Sequence, residues 1–178
     1  MHDQATRTVG ALHVVCVVGA AFVLSLGFDV LLHAGLLAKL YVAPGPFLLE
    51  PDEAFRRIPL GYLSFLLLTL SLWWLFQRLG VRGVGSGIRH VGSVGCVVWG
   101  ALALGLYSIS SAEWRLLVGW WIGQAIELAL AGAVLGAAAA GVSLKRIWVV
   151  VVLAVIGCIA GTTVLQTLGL APAMKVVH

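Results

Sequence analysis

The sequence predicts an all-α integral membrane bundle of five transmembrane helices, with four as the alternative count and no soluble domain. Three observations lead there. The chain of 178 residues is 61% hydrophobic and only 10% charged, whereas soluble domains carry about 25% charged residues because a water-facing surface needs them. Five apolar stretches, at 11–37, 59–77, 91–109, 116–140 and 147–170, each approach or exceed the ~20 helical residues that cross a bilayer. Finally, runs such as Leu63-Ser64-Phe65-Leu66-Leu67-Leu68-Thr69-Leu70 and Val149-Val150-Val151-Val152-Leu153 lack the strict alternation of a transmembrane barrel strand. A helix closes its own backbone hydrogen bonds in lipid, so helices are the reading that fits. The connections are short, and the whole chain, 1–178, reads as one transmembrane domain.

The elements follow in order. Met1 to Thr8 carries one basic residue, and the apolar run behind it exceeds the ~7–15 residues of a signal-peptide core, so the first span is a permanent helix. It ends near Tyr41, because Pro44-Gly45-Pro46 cannot continue it. Glu50-Pro51-Asp52-Glu53 reads as a helix start, with proline first and acids against the dipole. Arg56 and Arg57 close this short interfacial helix before the second span. That span ends in an aromatic belt, Trp73-Trp74-Leu75-Phe76, followed by Gln77-Arg78. Arg82-Gly83-Val84-Gly85-Ser86-Gly87 is a flexible basic turn; no strand precedes it and no Gly-Lys-Ser/Thr follows, which excludes a phosphate loop. The third span runs to Tyr107. Ser110 or Ser111 is placed to cap the fourth helix, Trp114 to about Ala140, with Glu113 in its first turn. Lys145-Arg146-Ile147-Trp148 marks another interface, and the fifth helix reaches about Leu170 before Pro172.

The net charge of +4 does not point to nucleic acid, because the basic residues, Arg78, Arg82 and Arg89 among them, sit at span ends where lipid headgroups lie. The partners expected are the bilayer itself and, through glycine faces, a second copy or a larger membrane complex. Six basic residues (Arg7, Arg78, Arg82, Arg89, Lys145, Arg146) fall on one side and five (Lys39, Arg56, Arg57, Arg115, Lys175) on the other. The short acid-free connections at 78–90 and 141–147 tip the amino terminus to the cytoplasm. Cys16, Cys96 and Cys158 share no C-x-x-C spacing and read as small buried hydrophobes; neither a disulfide framework nor a metal site is indicated. Gly119-x-x-x-Gly123, Gly132-x-x-x-Gly136 and Gly157-x-x-x-Gly161 each put two glycines on one helix face. They predict a tight contact between the last two helices or with another protomer.

Polar residues inside the spans carry the functional expectation. A charged carboxylate at the centre of a span costs about 2.5–3.5 kcal/mol on insertion scales, so it is paired, protonated or facing a wet cavity. Ser25, Asp29 and His33 recur every four residues and share one stripe. A carboxylate one turn from an imidazole holds it in one tautomer, and Lys39 and Tyr41 follow near the helix end. Gln124 and Glu127 share a face of the fourth helix, with Trp120 a turn earlier. Contact between the first and fourth helices would gather Asp29, His33, Gln124 and Glu127 into one polar cluster in the half of the membrane nearer the 38–58 loop.

Three functions follow, beside the reading in which these groups only hydrogen-bond between helices and fix their packing. The first is binding or transport of a small solute or proton through the Asp/His/Glu cluster. A non-catalytic accessory or assembly subunit of a larger membrane complex is the second. The third is a haem b electron carrier in which His13 and His90, at one depth among the small residues Ala11–Val18 and Val91–Gly100, supply axial ligands. No Ser-His-Asp or Cys-His arrangement of an enzyme stands out.

Phe28-Asp29, Gly35 and Lys39-Leu40-Tyr41, together with Gly100-Ala101-Leu102-Ala103-Leu104-Gly105-Leu106-Tyr107 and the Trp-bearing segment before the fourth helix, resemble small bacterial multi-pass inner-membrane families whose biochemical role is not established. The resemblance covers the first, third and fourth spans. It implies a compact helical bundle of about four spans in a bacterial inner membrane and says nothing of mechanism. A fifth span and His33 depart from that pattern.

Overall fold

All five apolar stretches are helices, and among the described residues there is no strand. The computed structural model describes residues 10–42 and 47–172. Helix α1 (Ala11–Leu31) runs into a π-helical turn (Leu32–Leu36) and then into the short α2 (Ala38–Val42). The four remaining helices are α3 (Pro51–Leu79), α4 (Val84–Ile109), α5 (Trp114–Ala139) and α6 (Leu144–Thr167). Pro44-Gly45-Pro46, expected to stop the first helix, lies outside the described residues, as do Arg7 and Lys175 of the orientation count. The chain is an integral membrane protein, since α1 with its π turn, α3, α4, α5 and α6 are each long and apolar enough to cross a bilayer.

Two boundaries differ from the sequence reading. The interfacial helix expected before Pro59 is not separate, because α3 is continuous from Pro51, with Pro59 inside it. Proline removes one backbone donor and leaves the carbonyl four residues earlier without its usual partner. Glu53 to Gly61 are all exposed, so water or headgroups can serve that carbonyl. At 29 residues the helix is about 44 Å long, well over a hydrocarbon core of ~30 Å. Its first turns therefore stand in the interface. The second difference is the glycine turn. Helix α3 stops at Gly80 in the left-handed region (φ 64°), and only Arg82-Gly83 remain of the expected flexible segment, since α4 already starts at Val84.

The glycines explain that early start. A Cβ on Gly87 would fall on the Gly132 carbonyl, one on Gly132 on the Gly87 carbonyl, and one on Gly136 on the Gly83 carbonyl. The backbones of α4 and α5 touch there, and Gly83 N–H donates to the Gly136 carbonyl at 2.9 Å. This corrects the expected partner: Gly132 and Gly136 face α4, the helix before them, and not α6. Helix α6 packs instead on α1 and the π turn. A methyl on Gly157 would meet nothing within 4 Å, and one on Gly161 would meet only Leu31, at 3.4 Å.

Helix α5 is the most buried span, with α4 on one side and α1 on another, while α3 packs on both α1 and α5. The core gathers Val17, Val18, Ala21 and Leu24 of α1, Leu72, Trp73 and Phe76 of α3, Val91 of α4, and Leu128, Ala131 and Leu135 of α5. All of these lie in the half nearer the start of α1. The expected aromatic belt is thus divided: Trp73 and Phe76 are core, and only Trp74 faces outward, with the Arg78 guanidinium 5.3 Å from its ring. Neither Ser110 nor Ser111 caps α5. Glu113 stands at its N-cap without a side-chain bond, and Ser110 Oγ donates to the Leu106 carbonyl, closing α4 instead.

Candidate functional site

The site grows from the break in the first helix. Leu37 N–H reaches back five residues to the Leu32 carbonyl (2.8 Å), the i→i+5 pattern of a π turn, a feature often found at functional sites. The wider turn presents Leu32 and Leu37 together to α5. Methyl positions on Gly123 and Gly119 would collide with the side chains of Leu32 and Leu37 respectively, so these two glycines form the recesses that receive them. On the other side Gly35 packs against Leu165, and the Gln166 amide donates to the Ala34 carbonyl at 3.2 Å. Helices α5 and α6 therefore hold the irregular turn from two sides.

That turn places His33 between two partners. Its Nε2 lies 3.2 Å from Asp29 Oδ1 and its Nδ1 lies 2.5 Å from the Tyr41 hydroxyl. Trp120 Nε1–H, from α5, donates to the same hydroxyl, and Phe47 packs a tilted ring on Trp120, 6.0 Å between centroids. An indole nitrogen only donates. The assignment in which every proton meets an acceptor runs Trp120 N–H to Tyr41 oxygen, Tyr41 O–H to His33 Nδ1, and His33 Nε2–H to the Asp29 carboxylate. His33 is then neutral, with its proton on Nε2. The Tyr41 phenol, beyond the end of the spanning segment, is pushed up by burial and stays protonated, as a donor in this chain must.

Deeper in, Ser25 (2% exposed), Gln124 (3%) and Glu127 (0%) come together where α1 meets α5. Ser25 and Gln124 stand within hydrogen-bonding reach of the Glu127 carboxyl, yet no bond of regular geometry reaches either of its oxygens or Gln124 Oε1. Buried polar atoms nearly always have one, so each exception calls for a physical account. Asp29 is close enough to act electrostatically on Glu127, Tyr41 and Tyr62. Among the described residues no Lys or Arg pairs with Asp29 or Glu127. The arrangement is a graded one: His33 and Asp29 are 31% and 14% exposed, and Glu127 is sealed.

Ser25, Asp29, His33, Gln124 and Glu127 are thus brought to one helix seam, as the shared stripe and face of the two helices require. Three participants were not readable as site residues. Tyr41 and Trp120 lie on the right faces, Trp120 one turn before Gln124, but their meeting depends on how the π turn directs the chain. Gln166 is the one amide in the last span. Lys39 is exposed and outside the network.

His13 and His90 are separately occupied. The His13 ring lies 6.5 Å from Trp73, tilted, and His90 meets Phe76 edge-on at 6.4 Å. Two core aromatics of α3 thus stand against the two imidazoles. Among the described residues no group of three or more His, Cys, Asp or Glu could hold a metal ion, and Cys16, Cys96 and Cys158 are free thiols. Cys96 is exposed and the other two half-buried, which corrects the expectation of three buried ones. No protein-family model, curated protein or solved structure matches the chain.

Proposed function

We propose that the protein binds or moves a proton or small cationic solute at the seam of α1 and α5, with Glu127 as the inner group and Asp29–His33 as the outer one. The observation that carries this reading is the Glu127 carboxyl, fully buried midway along a membrane span beside Ser25 and Gln124, with no Lys or Arg paired to it among the described residues. A carboxylate there is uncompensated. A transferable proton, or a cation bound between Glu127, Gln124 and Ser25, removes the mismatch. The chain Trp120–Tyr41–His33–Asp29 supports the outer carboxylate by fixing the imidazole's tautomer, and the difference in exposure gives the site an outside and an inside.

An amide still hydrogen-bonds but cannot ionise. Glu127→Gln and Asp29→Asn should therefore accumulate and fold as wild type, yet fail to complement a strain whose phenotype depends on this protein. Ion flux into vesicles carrying the purified protein then tells a proton from another cation. Full complementation by the double variant would overturn the proposal. A second reading, an accessory subunit of a larger complex, is favoured only by Gly157, which faces outward from α6 with open space before it. Stoichiometric co-purification with larger membrane subunits in mild detergent supports that alternative.

A further inference from the structure

The opposite end of the bundle holds a second feature, independent of the polar seam. Where α3 turns into α4 there is an open hollow of about 650 Å³ lined by Arg82, Ser86, Arg89, His90, Ser93 and Val94, among others. Two arginines, two serines and a histidine line it, and no acid does. Neither Arg82 nor Arg89 has an acidic partner among the described residues. The start of α4 adds to the positive field, since it has no acid in its first turn and no side-chain cap.

A second open hollow, about 640 Å³, lies beside the first, with Arg89 and Ser93 bordering both. Its lining is largely apolar and follows the crease between α4 and α5: Ile88, Gly92 and Val97 on one wall, Ile122, Ala125 and Ala129 on the other. The two helices touch at its floor, where a methyl on Gly92 would meet Ala129 at 3.3 Å. From Ile88 to Val97 the crease runs about 13 Å along the helix axis. At its foot the Trp121 indole is held by a bond to the Cys96 carbonyl at 2.9 Å.

A basic, hydroxyl-bearing hollow at the end of a span, bordered at Arg89 and Ser93 by an apolar crease between two spans, matches one kind of molecule. We propose that these adjacent hollows bind an anionic phospholipid, its phosphate between Arg82 and Arg89 and one acyl chain in the α4–α5 crease. Arginine pairs with phosphate in bidentate fashion, and a basic pocket at headgroup level is the physical form of lipid selectivity. Free phosphate offers the same chemistry to the basic hollow, but it leaves the crease unused.

The test uses full-length protein stripped of lipid in a neutral detergent and followed by thermal unfolding. Long-chain phosphatidylglycerol, at a hundredfold excess over its Kd, should raise the midpoint by about 5–10 °C. Phosphatidylcholine with the same chains should give a much smaller rise, dihexanoyl phosphatidylglycerol a partial one, and inorganic phosphate none. Arg82→Gln with Arg89→Gln should weaken phosphatidylglycerol binding roughly 30-fold, at about tenfold per 1.4 kcal/mol and ~1 kcal/mol per basic residue, which cuts the midpoint rise at the same lipid concentration to about a third. Equal response to phosphatidylcholine would overturn the proposal, and so would a full response to phosphate alone. The wild-type lipid series stands even if the double variant is unstable. If that variant folds and keeps the full response, the proposed seat of the phosphate is wrong.

Discussion

The two halves of this bundle are held by different means. Near the start of α1 the contacts are dry and close: Gly83, Gly87, Gly132 and Gly136 bring two backbones together, and Phe76, Val91 and Leu135 fill what remains. Near its end α1 meets α5 around a π turn: Leu32 and Leu37 seat over Gly123 and Gly119, and the same seam carries Asp29, His33, Tyr41 and Trp120, with Glu127 deeper in. Lipid tails are as apolar as leucine side chains, so helix association in a membrane rests on close packing and polar contacts between helices. One end uses close packing alone, and the other adds polar contacts to it.

The contrast can be broken most forcefully at the glycine contact. Gly87→Val pushes a branched side chain into the Gly132 carbonyl, which no rotamer relieves. Overpacking alone costs about 1–3 kcal/mol, and forcing two backbones apart should exceed that. The expected outcome is a loss of the folded species in detergent by size exclusion and thermal unfolding; a wild-type melting point would refute the contact. Glu127→Leu tests the polar half with the opposite sign. Replacing a buried carboxyl that no cation pairs by a hydrocarbon should leave stability unchanged or raise it, by up to about 3 kcal/mol, while removing function, the trade expected where a site is kept at the expense of stability. A marked destabilisation would mean that Glu127 holds the helices together.

Tyr41→Phe is subtler. It takes the shared partner from both His33 and Trp120 and should cost about 1–2 kcal/mol, accompanied by a change in Trp120 fluorescence. Unchanged stability and emission would remove the hydroxyl from the network. Gly157→Ala should have the smallest effect, within about 0.5 kcal/mol, because the added methyl meets open space. A larger shift in a native-like membrane, measured by unfolding in bilayer discs, would show that another helix covers that face.

Much of the fold was legible because membrane insertion leaves so few solutions: five apolar runs become five helices, and their ends fall within a few residues of the interface markers. The stripe Ser25–Asp29–His33 and the pair Gln124–Glu127 were legible for the same reason, since periodicity fixes which residues share a face. What periodicity does not fix is the partner of each face. Gly132-x-x-x-Gly136 announces a close approach without saying to what, and its counterpart, Gly83-x-x-x-Gly87, looks like a turn because glycine is both a helix breaker and a contact residue. The π turn was invisible. One extra residue in a helical ring leaves no mark in a local pattern of Leu, His, Ala and Gly, yet it decides that His33 meets Tyr41 and that Leu32 and Leu37 both reach α5.

The central place of α5 has a consequence for how the chain is made. Synthesis delivers α1, α3 and α4 to the membrane before the helix on which all three pack. Until Trp114–Ala139 emerges, Gly83 and Gly87 face lipid, and Asp29 has only His33 beside it. The nascent chain up to Ser111 therefore holds one packed pair, α1 with α3, beside a loosely tethered α4, and Trp114–Ala139 is the segment that joins them.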